Sequence, residues 1–164
     1  MTNKEMVVNF TSYIISEDEK KILLELETED EFEKFLKSFW KKRDPTPSTD
    51  ENKFKDNYVV KFTYANLYLG GWQSDQARVY ILYGPPTEKI FLPLKSIIFE
   101  NCEIWVYDKP LPMPEIPNIF MAIGENKMKF VFADRIGFGY KEQIYSTENS
   151  EKVDARVYRI IDKF

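Results

Sequence analysis

The chain has 164 residues, 43% of them apolar and 16% aromatic, which is enough to fill one core and too little for two. Its net charge is −4 and its bases alternate with acids, which excludes the concentrated positive footprint that nucleic acid or an anionic membrane requires. Histidine is absent and Cys102 is the only cysteine, which removes the commonest acid–base side chain, every Ser-His-Asp or Cys-His arrangement, any internal disulfide and the usual zinc ligand sets.

In chain order, the opening Met1–Met6 is polar, and no stretch approaches about 18 apolar residues. The expectation is no signal peptide and no membrane span in this stretch of sequence. Ser16-Glu17-Asp18-Glu19 has the form of a capping box ahead of Ile22, Leu23 and Leu26, and predicts a helix over 17–26. Thr28-Glu29-Asp30-Glu31 repeats that signal. Phe32, Phe35, Leu36, Phe39 and Trp40 then follow at the spacing of one helix face. Acids open this helix, Lys41, Lys42 and Arg43 close it as its dipole favours, and Pro45 and Pro47 end it.

A third helix is predicted from Thr49, with Phe54, Tyr58, Phe62, Ala65 and Leu69 on one face and Gly70-Gly71 as its left-handed cap. Beyond it the apolar period falls to two, and Ala77–Tyr83 reads as a strand stopped by Gly84-Pro85-Pro86. Further strands are predicted at 96–99, 103–107, 119–123, 127–133 and 140–145. Gly124-Glu125-Asn126 is a hairpin signal, and 109–117 a Pro-rich surface loop. Val153, Val157, Ile160, Ile161 and Phe164 suit a final amphipathic helix over about 150–163, with a strand as the alternative.

Helices first and antiparallel strands second predict one α+β domain over 1–164, with a helical half at about 12–70 and a strand-rich half at about 77–146. In this picture N-terminal helices cover one face of a mainly antiparallel meandering sheet. Phe32, Phe35, Phe39, Trp40, Phe54, Tyr58 and Phe62 would then pack on Val79, Ile81, Trp105, Phe130 and Phe132.

Two blocks stand out. Gly71-Trp72-Gln73-Ser74-Asp75 resembles the signature of the GWxTD domain, a bacterial family without an established activity, with Ser74 in place of the usual Thr. Phe39-Trp40-Lys41-Lys42-Arg43-Asp44-Pro45-Thr46-Pro47-Ser48-Thr49 is similar to that family's W-x-x-R-D-P-T-P-x-T block, at the expected spacing. The resemblance covers about residues 10–145 and implies an extracytoplasmic protein of the bacterial envelope, since members commonly carry an export signal. At the level of pattern, the strand ending in Gly84-Pro85-Pro86, the Trp105-Val106-Tyr107 strand and the Phe-rich strand ending in Asp134 also resemble BamE-type outer-membrane assembly lipoproteins.

The candidate binding residues are Arg43, Asp44, Trp72, Asp75 and Arg78, each with an architectural reading beside the functional one. Trp72 is either a plug between helix and sheet or an aromatic platform for a sugar or peptide. Asp75 is either an acceptor for backbone amides or a ligand acceptor. Arg43 and Asp44 suit a bidentate clamp, and an Arg43–Asp75 pair would join both blocks in one buried lock.

The acidic run of Glu17, Glu19, Glu25, Glu27, Glu29, Asp30 and Glu31 reads as capping and solvation, with no metal site. Asp134-Arg135-Ile136-Gly137-Phe138-Gly139 lacks the order of a phosphate loop and reads as a glycine-dependent turn. No catalytic residue and no cofactor is expected. The leading functional expectation is a non-catalytic protein-interaction or assembly module. A carbohydrate- or peptide-binding module with a small-ligand pocket is the alternative, and a histidine-free carboxylate enzyme a distant third.

Overall fold

The computed structural model describes residues 2–95, 100–108, 127–135, 137 and 139–148. Their fold is α+β: five helices and a four-stranded antiparallel sheet. The chain divides into two compact units, with the boundary between Thr63 and Tyr64.

The described part of the first unit, residues 2–63, is helical. Three helices, α1 (Asn3–Phe10), α2 (Glu17–Glu25) and α3 (Glu29–Lys42), each begin with a complete capping box. In each, a Thr or Ser hydroxyl accepts from the amide three residues on, and a Glu carboxylate accepts from the cap's own amide. The first of these boxes, Thr2 with Glu5, marks a helix that the polar N-terminus did not lead us to expect.

The fourth helix, α4 (Lys53–Tyr68), starts later than Thr49 because the Thr49 hydroxyl lies 3.0 Å from both Thr46 O and Glu51 O, shares its one proton between these carbonyls and so closes a turn. Asn52 caps the helix instead, its Oδ1 accepting from the Lys55 amide at 2.9 Å. Aromatic rings fill the interior of the first unit. Phe39 and Tyr58 are buried, and Phe10 meets Phe62 at 4.8 Å and Tyr58 at 5.4 Å between ring centres. Burial pushes the Tyr58 phenol well up, and its Oη donates to Phe10 O at 2.7 Å.

The described part of the second unit runs from 64 to 148. Residues 77–83 belong to a helix, α5 (Asp75–Tyr83), and not to the strand that the alternation suggested. Ala77, Val79, Ile81 and Tyr83 are all buried, and a short apolar run buried on several sides carries no decisive period. The ends decide it. Ser74 Oγ accepts from the Ala77 amide at 3.0 Å as the helix cap, and Gly84, at φ 83°, donates its amide to Tyr80 O at 2.8 Å.

The sheet consists of β1 (Glu88–Lys95), β2 (Glu100–Tyr107), β3 (Met128–Asp134) and β4 (Lys141–Ser146), in that order, every pair antiparallel. The strands predicted at 103–107, 127–133 and 140–145 are present as β2, β3 and β4. β1 was not foreseen, and it contains Pro93. The proline lies in an end strand of this order, at the register break between Leu92 and Lys95, where a missing N–H is tolerated. The expectations for 96–99, 109–117, 119–123, 124–126 and 150–163 lie outside the described residues.

One face of the sheet carries Trp105, Tyr107, Met128, Phe130 and Phe132, packed with Val79 and Tyr83 of α5. The other carries Cys102, Val131, Ala133 and Ile144, with Leu92, Ile104 and Tyr145 against them. Each unit has apolar clusters of its own. The rings of Phe39, Trp40, Phe54, Tyr58 and Phe62 have ring partners in the first unit, while Val79, Trp105, Phe130 and Phe132 share a cluster in the second. Of the helical face expected to be buried, Phe39 and Tyr58 are, while Phe32, Phe35, Trp40, Phe54 and Phe62 are half-buried.

Candidate binding site

The five residues singled out in the sequence fall into two groups. Arg43 and Asp44 belong to the first unit. Arg43 is buried, and its guanidinium grips Glu19 through two bonds, Nη1 to Oε1 at 3.1 Å and Nη2 to Oε2 at 2.6 Å. It also donates to Ile14 O at 2.8 Å and Phe39 O at 3.0 Å, and stands 3.8 Å from the centre of the Phe39 ring. Within the first unit Arg43 takes Glu19 as its partner, because the capping carboxylate of α2 lies within reach of the end of α3. Burial alone would raise the Glu19 carboxyl. The Arg43 bond, the Ser16 amide and the charges of Arg43 and Lys42 outweigh it and hold the group below its ordinary value. Asp44 closes the local turn, its Oδ1 accepting from the Thr46 amide at 2.9 Å.

Trp72, Asp75 and Arg78 belong to the second unit. Helix α4 ends in Gly70 and Gly71, at φ 80° and 91°, a reversal that residues with a Cβ rarely make. Trp72 is half-buried just beyond, with its backbone amide donating to Asn66 Oδ1 at 3.2 Å. Ser74 Oγ also donates to Leu69 O, so one hydroxyl ties the end of α4 to the start of α5. Asp75 reaches the sheet: its Oδ2 accepts from the Gln143 amide at 2.8 Å. Arg78 Nη2 donates to Gln143 Oε1 at 2.7 Å. Two side chains of the first two turns of α5 thus hold one residue of β4, beside the register shift that sets Val131 opposite Tyr145 and Phe132 opposite Gln143.

Asp75→Ala is expected to cost about 1–3 kcal/mol, since it leaves the Gln143 amide without its acceptor. Urea unfolding followed by tryptophan fluorescence measures this. A loss within about 0.5 kcal/mol of zero would show that water replaces the carboxylate.

The signature segment also forms one wall of a recess of about 580 Å³, lined by residues 68–70, 73–76 and 139–142. The lining residue Gln76 is bonded to Glu103, which is 4% exposed and accepts from Gln76 Nε2 at 3.1 Å and Trp105 Nε1 at 2.7 Å. Lys141 donates to it as well, and Lys89 Nζ stands 4.0 Å away. The opposite wall of the recess follows from Asp134, whose Oδ1 accepts from the Gly137 amide at 2.8 Å and whose Oδ2 accepts from that of Gly139 at 2.5 Å. This is the glycine-dependent turn expected from the sequence, and it presents Tyr140 to the recess.

Tyr140 is 71% exposed and Tyr68, at the end of α4, 69%. Both residues line the same cavity. The charged lining groups have partners in the chain: Asp75 the Gln143 amide, Lys141 the Glu103 carboxylate, and Glu142 the Arg135 Nε at 2.8 Å.

Burial by itself would raise the Glu103 carboxyl. Hydrogen bonds from Lys141 and Trp105, the Lys141 charge and the Gln76 bond outweigh that effect and leave it below its ordinary 4.5. A carboxyl lowered in the folded state contributes stability that is complete above its unfolded value and lost as pH falls through its folded value. The urea midpoint is therefore expected to decline below about pH 4.5, and Glu103→Gln to flatten that decline while lowering the midpoint at pH 7. An unchanged pH profile in the variant would remove Glu103 from the acid response.

The sequence did not single out Tyr68, Gln73, Glu103, Tyr140, Lys141 or Glu142. One signal was present: beyond the predicted buried stripe of α4, Val60, Tyr64, Leu67 and Tyr68 form a second apolar row at helical spacing, and all four are exposed. Among the described residues no group of three or more His, Cys, Asp or Glu is placed to hold a metal ion, and no helix is long and apolar enough to cross a membrane. A family model described as the GWxTD domain matches residues 1–163. No curated protein and no solved structure matches the chain, and the BamE-type resemblance has no counterpart among these findings.

Proposed function

Given that the chain belongs to the GWxTD domain family, a membership that names no chemistry, we propose that it is a non-catalytic binding module whose recess beside the signature segment receives a partner. The observation that carries this reading is the pair of exposed tyrosines, Tyr68 and Tyr140, lining one cavity together with Gln73, Asp75, Gln76 and Glu142. Exposed aromatic groups converging on a concavity favour a ligand, because water solvates such rings poorly and a partner that covers them gains the most. The signature residues support this role indirectly. Ser74, Asp75 and Arg78 hold α4, α5 and β4 together and so fix the walls.

The test is retention of the folded, labelled chain on arrays of glycans and peptides, with a Tyr68→Ala/Tyr140→Ala chain of unchanged melting temperature as the control. Retention lost in the control supports the recess. Equal retention of both chains, or conversion of an arrayed compound to product, overturns the reading.

A second reading, docking of a protein partner on α4, is favoured by the exposure of Leu67 and Tyr64 beside the recess. A Leu67→Asp chain that loses a partner while keeping array binding would establish it. For either reading we propose an extracytoplasmic site of action, which rests on the family resemblance alone.

A further inference from the structure

The acids and bases around the recess interleave. Asp75, Glu103 and Glu142 stand among Arg78, Lys89, Arg135 and Lys141, so the site carries no strong field of either sign. A strongly charged ligand would meet groups of both signs there. A purely apolar one would strand the carboxylates and amides of the walls without partners.

What these walls complement is a molecule with apolar faces and a fringe of neutral donors and acceptors. The phenol rings of Tyr68 and Tyr140 offer flat surfaces. Asp75 commits one carboxylate oxygen to the Gln143 amide and Glu142 one to an ion pair with Arg135, at 2.8 Å in both cases, which leaves the other oxygen of each as an acceptor. The Gln73 and Gln76 amides also line the cavity, with Gln76 held in place by its bond to Glu103.

We propose that the recess is a carbohydrate site, taking one or two neutral pyranose rings whose C–H faces stack on Tyr68 and Tyr140 and whose hydroxyls donate to Asp75 and Glu142. The volume of about 580 Å³ is within the usual range for a small-ligand site and leaves room for a ring pair. Paired carboxylates here bind and orient the sugar without attacking it. Asp75 is held on the Gln143 amide and Glu142 beside Arg135, and both serve as hydroxyl acceptors.

The proposal rests on the recess being the binding surface, and calorimetric titration separates the two claims. The neutral probes are cellobiose, maltotriose and chitobiose, the anionic probe is galacturonic acid and the cationic probe is trilysine, each titrated into the full chain and into Tyr68→Ala, Tyr140→Ala and Gln73→Ala chains of unchanged melting temperature. Saturable binding of at least one neutral sugar, weakened about tenfold by either tyrosine change and less by Gln73→Ala, is the expected result. Tyrosine-dependent binding of galacturonic acid or trilysine in place of the neutral sugars overturns the carbohydrate assignment and keeps the recess as a binding surface. Sugar binding that neither tyrosine change affects places the sugar elsewhere and overturns the assignment. No saturable binding of any probe overturns both claims.

Discussion

Phe130→Ala is expected to cost the second unit about 3–5 kcal/mol, a large fraction of the stability of a domain this size. Phe130 is fully buried in the middle of β3, opposite Trp105 on β2, with Tyr83 of α5 at 5.0 Å and Tyr107 at 5.8 Å between ring centres. Removing the ring takes contacts away from three elements at once. The space left is walled by groups that cannot close on it, because Trp105 is held by its bond to Glu103 and Tyr107 by its bond to Gly84 O at 3.0 Å. Phe130→Leu keeps most of the volume and should cost less than about 1.5 kcal/mol. Equilibrium urea unfolding of the full chain measures both. An alanine variant within 1 kcal/mol of the parent would mean that the cluster of α5 with β2 and β3 repacks freely.

Arg43→Ala has the second large expected effect, about 3 kcal/mol, at the lower end for a broken buried pair because Glu19 retains 15% of its side-chain exposure. The cost arises chiefly from what remains behind. Without the guanidinium, Glu19 keeps only the exposed Lys42, with Nζ at 3.8 Å, as a cationic partner, and the carbonyls of Ile14 and Phe39 lose their donor. Arg43→Lys restores a charge but cannot span both Glu19 oxygens and two carbonyls, so it should recover only part of the loss. Denaturation of the three chains side by side gives the ranking Arg, Lys, Ala. A lysine chain equal to the parent would show that charge, rather than the planar fork, holds α2 to the end of α3.

Local signals in the sequence carried much of this architecture. The capping boxes at Ser16 and Thr28 and the glycine pair after α4 translate directly into helix ends, because each depends on groups within a few residues of one another. What depended on distant groups was not legible. Arg43 pairs with Glu19, and no spacing rule relates residues 24 positions apart in a folded chain. The same limit hid the recess, whose walls come from three segments that only the α5–β4 contact brings together. The architectural reading of Asp75 matches its bond to the Gln143 amide. The alternation in 77–83 misled for a physical reason: over so few residues, a helix buried on several sides and a strand buried on both faces show the same run of apolar letters.

Cys102 lies 3% exposed in the cluster on the face of the sheet opposite α5, and burial pushes its thiol up, so the reactive thiolate is scarce while the sheet is intact. The chain thereby contains its own clock. Because the sequence holds one sulfhydryl, the rate at which a disulfide reagent modifies it counts the openings of β2 from its neighbours, with no label introduced and no second site to correct for. Plotted against reagent concentration, that rate levels off at the frequency with which the sheet comes apart, a number that equilibrium unfolding cannot supply.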